Sequence, residues 1–132
     1  MRLLRRGAAT SLVCLALAAA VGKAGEKSVT WTGWFSDLQC ASSRAASGAF
    51  GATNPECARK CIEKGTAPVF VSEPAKAIFQ IQGDSSVLEN LGYHIEVQAR
   101  VDEAAKTISI LNVKRLAYQG AACARPKRSG EK

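Results

Sequence analysis

Apolar and polar residues alternate with a period of two along several stretches of this chain, and that alternation predicts strands. Over residues 29–36, Val29, Trp31, Gly33 and Phe35 take one face, while Thr30, Thr32 and Trp34 take the other. The pattern is cleanest over 93–101. There Tyr93, Ile95, Val97, Ala99 and Val101 are expected to point inward, with His94, Glu96, Gln98 and Arg100 outward. Two shorter strands are predicted over 68–72 and 76–82, with Glu73-Pro74 as the turn between them. A last strand covers 107–116, and the slip of phase at Leu111-Asn112-Val113 predicts a bulge. Gly33 inside the first strand predicts a second bulge or a sharp bend.

Between the first two strands the period lengthens. Asn54 can cap free amides, Pro55 suits a first helical position, Glu56 suits the positive end of the dipole, and Gly65 is a natural stop. A helix is therefore predicted over 55–64. Its apolar stripe is Cys57, Ala58, Cys61 and Ile62, and Arg59, Lys60, Glu63 and Lys64 face water. Residues 37–53 are rich in Ser, Ala and Gly and read as a loop, with Asp37 in a turn or cap role. A short second helix, capped by Asp84 or Ser85, brings Val87, Leu88 and Leu91 inward and ends at Gly92. No internal repeat is present. The expected fold is mainly β, an OB-fold-like five-stranded barrel. A Cys-bearing helix is inserted between strands one and two, and a short helix lies between strands three and four.

The N-terminus changes the count of residues available to that fold. Arg2, Arg5 and Arg6 precede an apolar run over 8–21, and small residues surround a cut before Gly25. These are the three parts of a signal peptide over residues 1–24. The apolar run is too short for a membrane span, which needs about 20 residues. The mature chain is thus expected to be secreted or periplasmic, with no transmembrane segment, a barrel domain over 25–118 and a flexible basic tail over 119–132.

Charge then looks different. The full 132-residue chain has 18 basic and 11 acidic residues. Cleavage removes four basic residues (Arg2, Arg5, Arg6 and Lys23) and none of the 11 acidic ones, so +7 falls to about +3. Much of the remainder lies in Arg125, Lys127, Arg128 and Lys132. The folded body is close to neutral, which argues against a nucleic-acid partner.

Cysteine is the other informative residue. Cys14 falls in the leader, leaving Cys40, Cys57, Cys61 and Cys123. An even set in a small exported domain reads as a disulfide framework. Cys57 and Cys61 stand four apart on one helix face, with Cβ atoms about 5–6 Å apart, and a disulfide needs about 3.8 Å. They are not expected to bond each other. Cys40 should pair with either of them and Cys123 with the other, each bridge contributing about 3–4 kcal/mol. A metal- or redox-handling use of Cys40, Cys57 and Cys61 is the alternative. The short Cys-x-x-Cys knuckle and the thioredoxin-type Cys-x-x-Cys are both absent, so no metal or cofactor is expected.

No catalytic constellation stands out, and no enzymatic activity is expected. His94 is the single histidine and sits on an outward face, without partners for a nucleophilic triad. Trp34 is the candidate ligand-binding residue, since an exposed aromatic on such a barrel can stack a sugar or a base. The competing expectation packs Trp34 beneath the Cys helix. The function expected from these residues is a non-enzymatic binding or structural module of the cell envelope, its ligand a glycan, a peptide or another protein.

Several segments together carry a resemblance. They are Gly33-x-x-x-Asp37-x-x-Cys40, then Cys57-x-x-x-Cys61-Ile62-x-x-Gly65, then Pro68-Val69-Phe70-Val71 and the strands over 91–99 and 107–110. This pattern resembles a family of small exported bacterial proteins of uncharacterised function, over nearly all of the chain from 25 to about 116. The resemblance implies the OB-like β-region and the exported location, and it implies no activity. Members often carry a histidine a few residues after the first cysteine. Here that stretch is Ala41-Ser42-Ser43-Arg44, so a Cys/His metal site does not carry over.

Overall fold

The computed structural model describes residues 25–83 and 86–119. The expected leader, Asp84, Ser85, Cys123 and the rest of the expected tail from residue 120 onward lie outside the described residues. Among the described residues no helix is long and apolar enough to cross a membrane.

Five strands form one sheet closed into a ring. They are β1 (Glu26–Asp37), β2 (Pro68–Ser72), β3 (Ala77–Ile81), β4 (Tyr93–Asp102) and β5 (Thr107–Tyr118). Around the ring they run β1-β2-β3-β5-β4, and β4 returns to β1. Every neighbouring pair is antiparallel except β3 and β5, which meet in parallel over Gln80–Thr107 and Ile81–Ile108. The helices α1 (Leu38–Ala45) and α2 (Pro55–Glu63) both lie between β1 and β2.

The first strand holds the ring together because it has two partners in succession. Residues from Glu26 to Gly33 pair with β4, and residues from Gly33 to Asp37 pair with β2. Gly33 is the point of exchange, and the register runs through it without a bulge. A Cβ there would lie 2.0 Å from the Val71 carbonyl oxygen and 2.8 Å from the Phe70 ring. Glycine is needed for close approach of two strands rather than for a bulge. The bulge expected in β5 is present. Leu111 and Leu116 fall at two register shifts against β4 and both are exposed.

The alternation in β4 fills the interior as expected: Ile95, Val97, Ala99 and Val101 are all buried. They meet Phe35, Phe70, Phe79 and Ile108 in one cluster. Phe35 and Phe70 pack edge to face with ring centroids 6.1 Å apart. Each such ring contributes about 1.5–3 kcal/mol on burial. Ala58 of α2, fully buried, plugs into the same cluster and ties that helix to the ring.

Three local expectations are corrected. Residues 37–53 are not all loop, because α1 occupies Leu38–Ala45. Only Ala41 of α1 is buried, against Val69 and Val71, so the helix shows no apolar stripe in sequence. The short helix before β4 is a single 3-10 turn, Leu88–Asn90. The apolar stripe of α2 is narrower than its sequence suggests, because Cys57 is exposed.

Candidate thiol–carboxylate site

The site begins with a helix cap. Asp37 ends β1, and its Oδ2 accepts the backbone N–H of Cys40 at 3.0 Å, starting α1. An N-cap side chain reaches the residue three positions on, so the Asp-x-x-Cys spacing itself brings the carboxylate against Cys40. The cap role expected for Asp37 is therefore present, but the residue is also fully buried. Its other oxygen, Oδ1, is buried and accepts no hydrogen bond from any described residue.

The second helix delivers the other thiols in the same manner. Asn54 Oδ1 accepts the N–H groups of Glu56 at 2.9 Å and Cys57 at 3.1 Å, with Pro55 opening the helix. A buried contact of 2.6 Å between Ser36 Oγ and Thr53 Oγ1 pins this start to β1. Cys61 follows Cys57 by one turn on the same side. The Sγ atoms of Cys40 and Cys61 and a carboxylate oxygen of Asp37 all lie within 4.8 Å of one another. Gln39, Ser43, Arg44, Thr53, Asn54 and Cys57 complete the walls of a 540 Å³ cleft over these groups.

Cys40, Cys57 and Cys61 are free thiols, and Cys123 lies outside the described residues. The disulfide framework expected from the even cysteine count is therefore not formed among the described residues. Cys40 does stand beside a cysteine of α2, Cys61, but it is carried there by α1 and shares the place with the Asp37 carboxylate. Burial first, and then the Asp37 carboxylate and Cys61, pushes the Cys40 thiol up to about 12. A thiol so disposed stays protonated and is a poor nucleophile, unlike the depressed thiol of a disulfide oxidoreductase.

Trp34 sits elsewhere, on the outer face of the ring. Its ring stacks on His94 with centroids 4.7 Å apart and planes 23° apart. Its Nε1 donates to Gln119 Oε1 at 3.1 Å. His94 Nε2 lies 2.8 Å from Glu73 Oε2, which also accepts the Thr32 hydroxyl at 3.1 Å. The bond to His94, and then that to Thr32, holds the Glu73 carboxyl below the usual carboxylate range. His94 is thus a partnered residue, with 22% of its side chain exposed, rather than a solvated one. Trp34 is half-buried, and its aromatic partner is His94. One of its faces is already covered by that histidine.

A groove of 590 Å³ beside α2, lined by Ile62, Pro68, Val87 and Leu88, offers Glu89 as its ionisable group. It brings together no chemistry comparable to the thiol cleft. No protein-family model matches the chain, and neither curated proteins nor solved structures yield a match.

Proposed function

We propose that this chain is a small exported, non-enzymatic protein of the cell envelope that handles thiophilic species through Cys40, Cys57 and Cys61. The closed five-stranded ring, with a parallel β3–β5 closure and β1 shared between β2 and β4, is read as an OB-like barrel. The helix pair inserted between β1 and β2 is its working part. The observation that carries this reading is the convergence of two thiols and a carboxylate within 4.8 Å. A raised Cys40 thiol argues against thiol–disulfide catalysis, and the support for capture by coordination is the convergence of the three groups.

The test is the thiol state of protein exported to an oxidising compartment and treated with a chelator. Alkylation in denaturant, before any reduction, should label Cys40, Cys57 and Cys61, as mapped on peptides by mass. Recovery of Cys40 and Cys61 joined in a disulfide would sink the reading and restore the cysteines to a bracing role.

The second reading is a ligand-binding module that uses Trp34, favoured by the aromatic and polar face that Trp34, His94, Glu73 and Thr32 make together. Its ligand would be a glycan, a peptide or another protein of the envelope. Loss of binding to a glycan panel on Trp34→Ala supports it, and wild-type protein that binds nothing removes it.

A further inference from the structure

We propose that Asp37, Cys40 and Cys61 hold one divalent cation of the zinc class, with a fourth position open to the cleft. The proposal rests on the reading of that cleft as a working thiol site.

The ligand types decide the class of ion. Two thiolates and one carboxylate oxygen suit Zn²⁺ and its thiophilic relatives, whereas Ca²⁺ and Mg²⁺ take oxygen ligands alone. A carboxylate in the set also disfavours Cu(I), which selects thiolate and thioether sulfur. The geometry needs little change. Around a tetrahedral Zn²⁺, with Zn–S near 2.3 Å and Zn–O near 2.0 Å, ligand atoms sit roughly 3.5 Å apart. The three atoms already lie within 4.8 Å of one another. Side-chain rotation of about 1 Å closes the difference.

A second observation points to the same guest. Asp37 is fully exposed to neither water nor a donor at Oδ1: the residue is buried and that oxygen accepts no hydrogen bond from any described residue. A buried carboxylate oxygen without a partner is costly. A cation beside it removes that cost. The other oxygen is already fixed by the Cys40 N–H at 3.0 Å, which holds the carboxylate in place beside Cys40. That bond plays the part outer hydrogen bonds play around metal ligands.

Three protein ligands and one open position is the arrangement of zinc sites that exchange or present a ligand, in contrast to closed structural sites with four. The open side faces the cleft that Cys57 lines, and Cys57 itself stands outside the three-atom cluster. Cys57 is therefore assigned to the mouth of the site and not to the resident set.

Cobalt is the probe. The reduced mature chain is titrated with Co²⁺ while thiolate-to-cobalt charge transfer and the tetrahedral ligand-field bands are followed, and Zn²⁺ is then used to displace it. One Co²⁺ per chain is expected, with zinc bleaching the signal. Cys40→Ser and Cys61→Ser should lower affinity at least a hundredfold. Asp37→Asn keeps a capping acceptor and should fold, yet bind at least tenfold more weakly. Cys57→Ser should bind within about twofold of the parent. Far-UV circular dichroism checks that each variant is folded. If the thiols of the reduced protein react freely but no charge transfer develops, the metal site is wrong and the thiol reading survives. If Asp37→Asn binds like the parent, or Cys57→Ser fails as badly as Cys61→Ser, the ligand set is wrong. Failure of the thiol reading shows separately, as the Cys40–Cys61 disulfide in exported protein.

Discussion

Gly33→Ala tests the joint on which the ring depends. The added Cβ would stand 2.0 Å from the carbonyl oxygen of Val71 and 2.8 Å from Cζ of Phe70. Neither neighbour can turn away, since one is backbone of β2 and the other is a fully buried ring. Restoring ordinary contact at 3.4 Å means moving the strands apart by about 1.4 Å. The pairs Gly33–Ser72 to Asp37–Pro68 lie on that seam. Overpacking in a tight interior costs about 1–3 kcal/mol, and each ladder hydrogen bond weakened adds up to about 1 kcal/mol. A loss of about 3 kcal/mol is expected. For a domain of this size that lowers Tm by roughly 12–24 °C, at about 4–8 °C per kcal/mol. Urea unfolding followed by tryptophan fluorescence reads it, since Trp31 and Trp34 flank the site in sequence. A loss below about 1 kcal/mol would show that β1 and β2 are not in contact at Gly33, and the shared-strand description would fall with it.

Other substitutions probe the site and the outer face. Asn54→Ala removes the acceptor for two amides of α2 and should cost about 1 kcal/mol in urea unfolding, with an unchanged far-UV spectrum. In metal-free folded protein near pH 8, iodoacetamide should modify exposed Cys57 well before Cys40, whose thiol is pushed up to about 12. The same shift means that protonated Cys40 contributes stability fully below the ordinary thiol value of 9.0, and that this contribution is lost as pH rises toward 12. Cys40→Ala should flatten that alkaline loss. Glu73 is shifted the other way, so its contribution is present above the usual carboxylate range and disappears as pH falls through its lowered value. Glu73→Gln should remove that acid-side slope, with an effect below about 1 kcal/mol because the carboxylate is half exposed.

Much of the ring was legible because its strands bury one face. Period-two alternation located β4 closely, since Ile95, Val97, Ala99 and Val101 had to point inward, whereas β2, buried on both faces, was marked by the Glu73-Pro74 turn that follows it. The same signal missed the start of β1. Glu26, Lys27 and Ser28 are exposed on a strand paired only to β4, and polar residues there leave no alternation to read. Likewise α1 escaped notice because a single residue, Ala41, is buried along it. The clue was Asp37 three residues before Cys40, which is a cap spacing. The thiol site was half visible. The even cysteine count pointed to bridges that are not formed among the described residues, and the position of Cys40 depends on a helix that composition did not reveal. His94 looked solvated because its partners, Trp34 and Glu73, come from β1 and from the β2–β3 turn. The β1–β4 register brings Trp34 beside His94, and the β1–β2 pairing brings Glu73 to the same place.

The shared first strand also dictates an order of assembly. Residues 26–33 are made first but pair with residues 95–102, about seventy positions later. Until β4 exists, residues 26–32 have no strand to pair with. The ring cannot close early from its N-terminal side, and the two-residue parallel contact of β3 with β5 cannot form before the last strand arrives. Contacts this distant in sequence put folding in the millisecond-to-second class typical of β topologies. A chain interrupted before residue 95 would therefore leave residues 26–32 of its first strand unpaired, with Val29 and Trp31 uncovered on an open edge prone to self-association and to capture by a chaperone.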